Sequence, residues 1–516
     1  MATEGLSNER GFDTRSVQTL VERHDEQSAS LRARMQSDYD NLYALSQYDA
    51  GEDYASYTTN EPRAFADKII GWIVSAVLTV EMPNTDKRQH DRERLQAKEK
   101  LCLGFLRAAE DRMLRLLLPT IRDQLAFYVA IRGMWAGRSL LMKTLEGKTE
   151  IDITPWDPLH TYWGTGRGGL EWACYRFKRT RAEIEAEYSE SLPRRMLEQL
   201  TESPDGYDVY DFYDRTNNLV VVEGEYAKKP APHGQNVVPV FIGLVGSTPP
   251  VQAYKAASKL ESALMGESIY ATNRKIYEKV NSVLSTVLEL VGRSKKPPIE
   301  IRSRDGSKTL SEDPYKQGST IPLAEGDEVQ ALDLLRMSPD TGAMLGFVSG
   351  ELQRGSLPYS IYGEIQFQLS GYAINTLGNS IETVINPRLK AVERAYVRAV
   401  TLLSDQYDTG RYPSIQVSGR MSNRDWFDEE IDAEMVKGLG IPEIRLIANL
   451  PQDDLQKMNM ARMAREGTVP LLPDRLIRGD ILHYQDPDAI EQVVKEQIAE
   501  GASPLAALLT LYQSAT

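Results

Sequence analysis

Residues 255–293 read KAASKLESALMGESIYATNRKIYEKVNSVLSTVLELVGR, and the reading of this run decides the rest. Its later half repeats apolar side chains at Ile276, Val280, Val283, Val287 and Val291. Steps of three and four place them in one stripe on one helix face, so the run predicts a long amphipathic helix from Ala256. Pro297 and Pro298 end it: neither has a backbone donor, and the residue before a proline avoids helical angles. A small insert follows, with PIEIRS, STIPLA and EVQAL as short strands between DGSK and EGDE turns. Helix resumes near Ser338 with TGAMLGFVSGELQ and breaks at Arg354-Gly355-Ser356-Leu357-Pro358. A second long helix runs from about Ala373 to Ser404, interrupted by Pro387. Helix, β insert, helix, loop and long helix is an unusual order for an enzyme core and suits subunits that stack side by side.

Working outward, the 516 residues can bury a large core and predict two or three domains. The apolar run Ile69–Val80 is shorter than the roughly 20 residues of a membrane span and reads as a buried helix. No apolar signal core opens the chain, and two cysteines, Cys102 and Cys174, form neither a disulfide framework nor a metal cluster. The net charge of −14 disfavours a protein that wraps and grips nucleic acid, because phosphate contacts need a basic footprint. An acidic surface can still let DNA slide past.

Before the long run, residues 14–47 read as an amphipathic helix capped by Asp13 or Thr14. A polar turn (51–61), the apolar helix 65–80 and a helical pair at 91–118 and 119–136 come next. From Arg138 the period changes to two, giving a hairpin, SLLMKT and TEIDIT, and then the strands WDPLHTYW, LEWACYRFKRT, YDVYDFYDR, NLVVVEGEY and VVPVFIGLVG. A helix near 181–200 sits among them. Past Ser404 one strand, SIQVS, and short helices are expected, the clearest at 452–466.

Three motifs come close to chemistry and fail. Gly164, Gly166 and Gly169 satisfy G-x-G-x-x-G, but an alternating strand pattern follows where a dinucleotide site needs a helix, so a hairpin loop is the better reading. Gly147-Lys148-Thr149 resembles the end of a phosphate loop, yet Met142 occupies the required first glycine. Asp205, Asp208, Asp211 and Asp214 suggest a cation site, but steps of three alternate faces on a strand, and an exposed strand is expected. Asp152, Asp157 and His160 read as a polar turn. The five histidines are scattered, and no catalytic, cofactor or metal residues are assigned. Arg293, Lys295, Lys296, Arg302, Arg304 and Lys308 form a local basic patch around the insert, either solvated charge or a contact for an acidic partner.

The arrangement resembles the portal proteins of tailed bacteriophages. The resemblance covers most of the chain and is carried by YDNLYALSQYDAG, TNEPRAFADKIIGWIVSAV, GRSLLMKTLEGKTEIDITPWDPLHTYW, ESIYATNRKIYEKVNSVLSTVLELVGRSKKPPIEI and the run from GELQRGSLPYSIYGEIQ to ERAYVRAV. It implies an α+β, predominantly helical subunit of a twelve-membered ring at one capsid vertex, through which double-stranded DNA is packaged and ejected. Residues 1–250 would be wing, 251–296 and 336–353 the stem helices, and 297–335 the β clip. Residues 354–371 would form the tunnel loop, 372–406 a long wing helix bent at Pro387, and 407–516 the wing end and helical crown. The implied DNA-facing residues are Arg354, Ser356, Tyr359, Tyr362, Gln366 and Gln368, and the basic patch would dock a terminase and then a head-tail adaptor. Capsid and scaffolding proteins are further implied partners. The chain would be made in the bacterial cytoplasm and end in the virion, with no membrane, cofactor or catalysis of its own. Other readings are a different ring-forming virion adaptor or a nucleic-acid-processing enzyme.

Overall fold

The computed structural model describes residues 12–43, 48–51, 55–83, 89–143, 147–189, 191–201, 204–246, 265–295, 297–303, 306, 309–316, 318, 320–331, 339–362, 371–421, 426–448, 454–465, 472–482, 490–491, 493–495 and 497–498. The first elements are α1 (Thr14–Tyr43), α2 (Glu61–Ser75), β1 (Val77–Glu81), α3 (Gln89–Arg115) and α4 (Ile121–Phe127). Next come β2 (Met134–Lys143), β3 (Thr149–Trp156), β4 (Thr161–Gly166), β5 (Gly169–Arg179), α5 (Arg181–Tyr188) and α6 (Arg194–Gln199). They are followed by β6 (Tyr207–Asp214), β7 (Asn217–Val222), β8 (Glu225–Pro232), β9 (Val240–Leu244) and α7 (Arg274–Lys295). The last are β10 (Ile299–Arg302), β11 (Glu328–Ala331), α8 (Pro339–Arg354), α9 (Gly371–Tyr407), β12 (Ile415–Arg420), β13 (Trp426–Ile431), β14 (Glu443–Ile447) and α10 (Asp454–Arg465). The chain is an α+β protein. Among the described residues no helix is long and apolar enough to cross a membrane. The chain divides into a larger unit, residues 1–36, 68–268 and 367–516, and a smaller one, 37–67 and 269–366.

The larger unit is built on a five-stranded antiparallel sheet in the order β4-β5-β6-β7-β8. One face carries Tyr162, Trp172, Cys174, Phe212, Leu219 and Val221 against Val17 and Val21 of α1. The other presents Val209, Val220 and Val222 to Ile184 of α5 and Met196 of α6. Thr180 starts α5 with a reciprocal cap, its hydroxyl accepting from the Glu183 N–H while Glu183 accepts from the Thr180 N–H. Asp13 caps α1, accepting from the Ser16 N–H at 2.8 Å.

A second sheet, β3-β2-β9, lies against α9, whose Val392, Tyr396, Ala399, Val400, Leu403 and Tyr407 are buried. Beyond Arg138, β2 outruns β9, and side chains complete its edge. Gln406 accepts from the Leu141 N–H (2.8 Å) and donates to the Ser139 carbonyl (2.9 Å), while the Tyr412 hydroxyl donates to the Leu141 carbonyl (2.9 Å). The α9 helix runs as one element through Pro387.

Several expectations are overturned. Residues 77–81 are not the end of a helix: β1 pairs antiparallel with β14, a partner remote in sequence that uses the β-branched residues of VLTV. Among its described residues the tail holds two strands besides β12, namely β13 and β14. NLVVVEGEY is two strands, β7 and β8, turned at Glu223 and Gly224, both at positive φ. The aspartates 208, 211 and 214 do alternate faces, but β6 is a central strand, and Asp211 is buried. Of the expected polar turn, Asp157 and His160 are there, Asp157 capping a 3₁₀ turn (Pro158–His160) by accepting from the Leu159 N–H (2.9 Å), but Asp152 is not part of it. Asp152 lies within β3, fully buried, and accepts from Arg138 (2.7 Å) and Arg112 (3.1 Å). Asp157 is clamped by Arg132 (2.8 Å). Burial holds the His160 imidazole below its ordinary pKa. The reading of Gly164, Gly166 and Gly169 as a β4–β5 hairpin holds. Cys102 and Cys174 are buried free thiols, and burial pushes the Cys102 thiol up to about 12.

Arg138 ties the two sheets together, donating to Asp152 and, at 2.8 Å, to Asp211, with the Tyr213 hydroxyl 3.1 Å away. Replacing it with Met leaves two buried carboxylates without this cation, and urea unfolding of Arg138→Met should show a loss of about 3–5 kcal/mol. His24 of α1 packs against Tyr162 and Trp163, and burial, then Arg32, holds its pKa at about 4. The unfolded chain therefore binds an extra proton between about pH 6.5 and 4, so this contribution is present above that window and lost as pH falls through it. His24→Phe should flatten the acid limb of a melting-temperature profile relative to the native chain.

Candidate functional site

The smaller unit contains the helix–insert–helix–loop order, and the residues before α7 hold it together. The expected helix start at Ala256 lies outside the described residues; the described chain from 265 is non-helical, with a turn at 269–273, until α7 begins at Arg274. Part of this stretch belongs to the larger unit, where Gly266 sits at φ +72°, a left-handed angle that favours glycine. A Cβ there would strike the carbonyl oxygen of Gly133.

Four connections fan out from residues 270–274. The Tyr270 hydroxyl donates to the Pro62 carbonyl (2.8 Å) and Thr272 to the Gly355 carbonyl (3.1 Å). Asn273 donates to the Leu352 carbonyl (2.8 Å), and Arg274 grips the fully buried Asp38 with two hydrogen bonds of 2.6 and 2.9 Å. Burial raises the Tyr270 and Tyr277 phenols above their ordinary pKa, so both stay neutral and Tyr270 keeps its donor for Pro62.

Along α7, the extended segment 55–59 is tied down by its amides. Ala55 donates to Glu289 (2.9 Å), Tyr57 to the Ser285 hydroxyl (2.8 Å) and Thr59 to Asn281 (2.9 Å). Two residues of extended chain advance about 6.6 Å and four of helix about 6 Å, so alternate amides of one match every fourth side chain of the other. The intervening Ser56 and Thr58 hydroxyls accept from Ala50 and Tyr48. What the sequence offers as a polar turn is a strap. Its only signal is the spacing of Asn281, Ser285 and Glu289, which by itself reads as a solvated face.

The break after α8 folds back on the helix. Leu357 is buried, the Ser356 hydroxyl donates to the Leu352 carbonyl (2.8 Å), and Tyr359–Tyr362 form one 3₁₀ turn whose Tyr359 hydroxyl meets that of Ser349 at 3.2 Å. Arg354 alone of the four described loop residues is exposed, and it pairs with Glu351. Tyr359 and Tyr362 are half-buried; burial, then Glu61, pushes the Tyr362 phenol up to about 12. Gln366 and Gln368 lie outside the described residues. Gly355 is required by close approach, because a Cβ there would collide with the Asn273 amide.

The insert is a two-stranded antiparallel hairpin, β10 with β11 (Ile299↔Ala331 to Arg302↔Glu328). The expected third strand, STIPLA, is extended without strand pairing over its described residues 320–324, where Pro322 offers no donor. The described part of the basic patch is largely paired: Arg293 with Glu289, and Arg302 with Glu300 (2.9 Å) and Glu328 (4.0 Å). Lys295 is exposed at the end of α7, and Lys296, Arg304 and Lys308 lie outside the described residues. The stripe of α7 is buried only near its start, at Tyr277 and Val280. Farther along, Leu288 and Val291 are exposed, as are Met344 and Phe347 of α8.

Among the described residues no group of three or more histidine, cysteine or acidic side chains is placed to hold a metal ion. The chain matches no protein-family model and no curated protein.

Gly355→Ala should lower the unfolding free energy by about 1–3 kcal/mol, because it disrupts the buried Asn273 amide. Gly292→Ala, where a Cβ meets open space within α7, should be neutral or stabilising by up to about 1 kcal/mol. Denaturant titration of both variants makes the comparison.

Proposed function

We propose that this chain is a subunit of a phage-type portal: a ring at a capsid vertex whose central channel passes double-stranded DNA during packaging and ejection. The observation that carries the reading is the order of elements from Arg274 to Tyr407: an amphipathic helix, a two-stranded hairpin, a shorter helix, a folded-back turn and a 37-residue helix. In this reading α7 and α8 are stem, the β10–β11 hairpin is clip, residues 354–371 face the channel, and α9 is the long wing helix.

Two further features support it. Leu288, Val291, Met344 and Phe347 expose apolar surface on two neighbouring helices, which suits packing against adjacent subunits. The acidic balance, repeated around a ring, keeps the phosphate backbone from adhering to the wall. Arg354, and the hydroxyls of Tyr359 and Tyr362 after local rearrangement, would give brief polar contacts to a moving duplex. The hairpin end would meet the packaging motor and later the head-tail adaptor. Chemistry on DNA would belong to the motor, and this subunit would supply a passage.

The test is the mass and shape of the purified chain by light scattering and negative-stain imaging. Twelve subunits of 58.0 kDa make about 0.7 MDa, and a ring of that size with a central hole is the expected result. A compact dimer would overturn the reading.

A further inference from the structure

The turn between α3 and α4 puts an exposed leucine where glycine is the usual residue. Helix α3 ends with the Leu118 N–H donating to the Met113 carbonyl (3.0 Å) and the Leu117 N–H to the Leu114 carbonyl (3.0 Å). Leu117 occupies the left-handed position of this ending at φ +57°, where glycine is the usual residue and a side chain costs energy. Its side chain is also 93% exposed, beside exposed Leu114, Leu116 and Leu118. Four leucines thus form an exposed apolar knob. The left-handed angle closes α3, but glycine would close it at less cost, so a leucine kept there and turned to solvent points to a use outside the subunit.

The same larger unit carries an open groove of about 640 Å³ whose apolar lining is Trp135, Ile242, Val397, Ile441 and Ile444. Ile441 is itself exposed. Arg394 and Arg398 give the groove a basic rim, while of its acids Glu393 accepts from the Leu446 N–H (2.7 Å) and Glu443 pairs with Arg445 (2.7 Å). Asp111 and Arg115, both exposed, flank the knob.

We propose that the Leu114–Leu118 knob of one subunit docks into the Trp135–Val397–Ile441 groove of a second copy of this chain. Knob and groove are different surfaces, so the contact is head-to-tail: each subunit offers one of each, and repetition closes a ring or extends a filament. Asp111 beside the knob meets Arg394 or Arg398 at the groove rim, an opposite-charge contact that orients the two surfaces. The inference rests on the ring reading for closure. It adds which surfaces of the larger unit make the joint.

Two single variants of the full chain test it. Leu117→Asn removes the apolar tip while tolerating the left-handed angle, so the separated subunit should melt at the same or a higher temperature. Ile441→Asp places a charge in the groove. Each variant alone should need a protein concentration roughly tenfold higher to assemble, as loss of an interface anchor requires. Mixed one to one at a concentration where neither assembles alone, the intact knob of the Ile441→Asp subunit fits the intact groove of the Leu117→Asn subunit. The expected product is a two-subunit species that grows no further, read by native mass spectrometry. Variants that assemble as the native chain does, or a mixture that stays monomeric, overturn the joint and leave the ring reading standing if the native chain forms rings. A native chain that remains a single subunit at every concentration overturns both.

Discussion

The smaller unit depends on a match between two periods. An extended strap and a helix cannot pair through their backbones, because the helix has spent its own amides and carbonyls internally. Side chains at every fourth position of α7 bridge the difference, and the strap's Ala55, Tyr57 and Thr59 amides land on Glu289, Ser285 and Asn281. With so little apolar surface buried along the outer half of α7, these bonds and the cluster at 270–274 do much of the positioning. The loop after α8 inherits its place from the same cluster, since Thr272 and Asn273 hold Gly355 and Leu352.

Legibility follows how far each contact reaches along the chain. The period of α7, the proline stop at 297–298, the break at 354–358 and the hairpin at Gly164–Gly169 are local, and the sequence states them. The strand at Val77–Glu81 is not local: its partner is Glu443–Ile447, and without that partner the apolar run looks like more helix. Asp152 and Asp211 look like surface acids until β2 places Arg138 between them. The candidate site divides the same way. Its turn is readable from Gly355 and Pro358, but that Ser356 and Tyr359 spend their hydroxyls on Leu352 and Ser349 depends on the fold-back itself.

The two arginines described around the hairpin, Arg293 and Arg302, pair with acids, and the loop arginine pairs with Glu351. A ring lined by such pairs would present alternating, locally cancelled fields instead of a uniform wall. That is a milder surface than the net charge alone suggests.

The completed edge of β2 has a consequence for many copies held side by side. A strand whose outer amides and carbonyls are free is a template for any extended segment nearby, and crowding of identical subunits multiplies the opportunities. Past Arg138 the Pro239 carbonyl takes the Ser139 N–H, and Gln406 and Tyr412 occupy the Ser139 carbonyl and both groups of Leu141. From Ser139 to Leu141 these partners stand where a foreign strand would add.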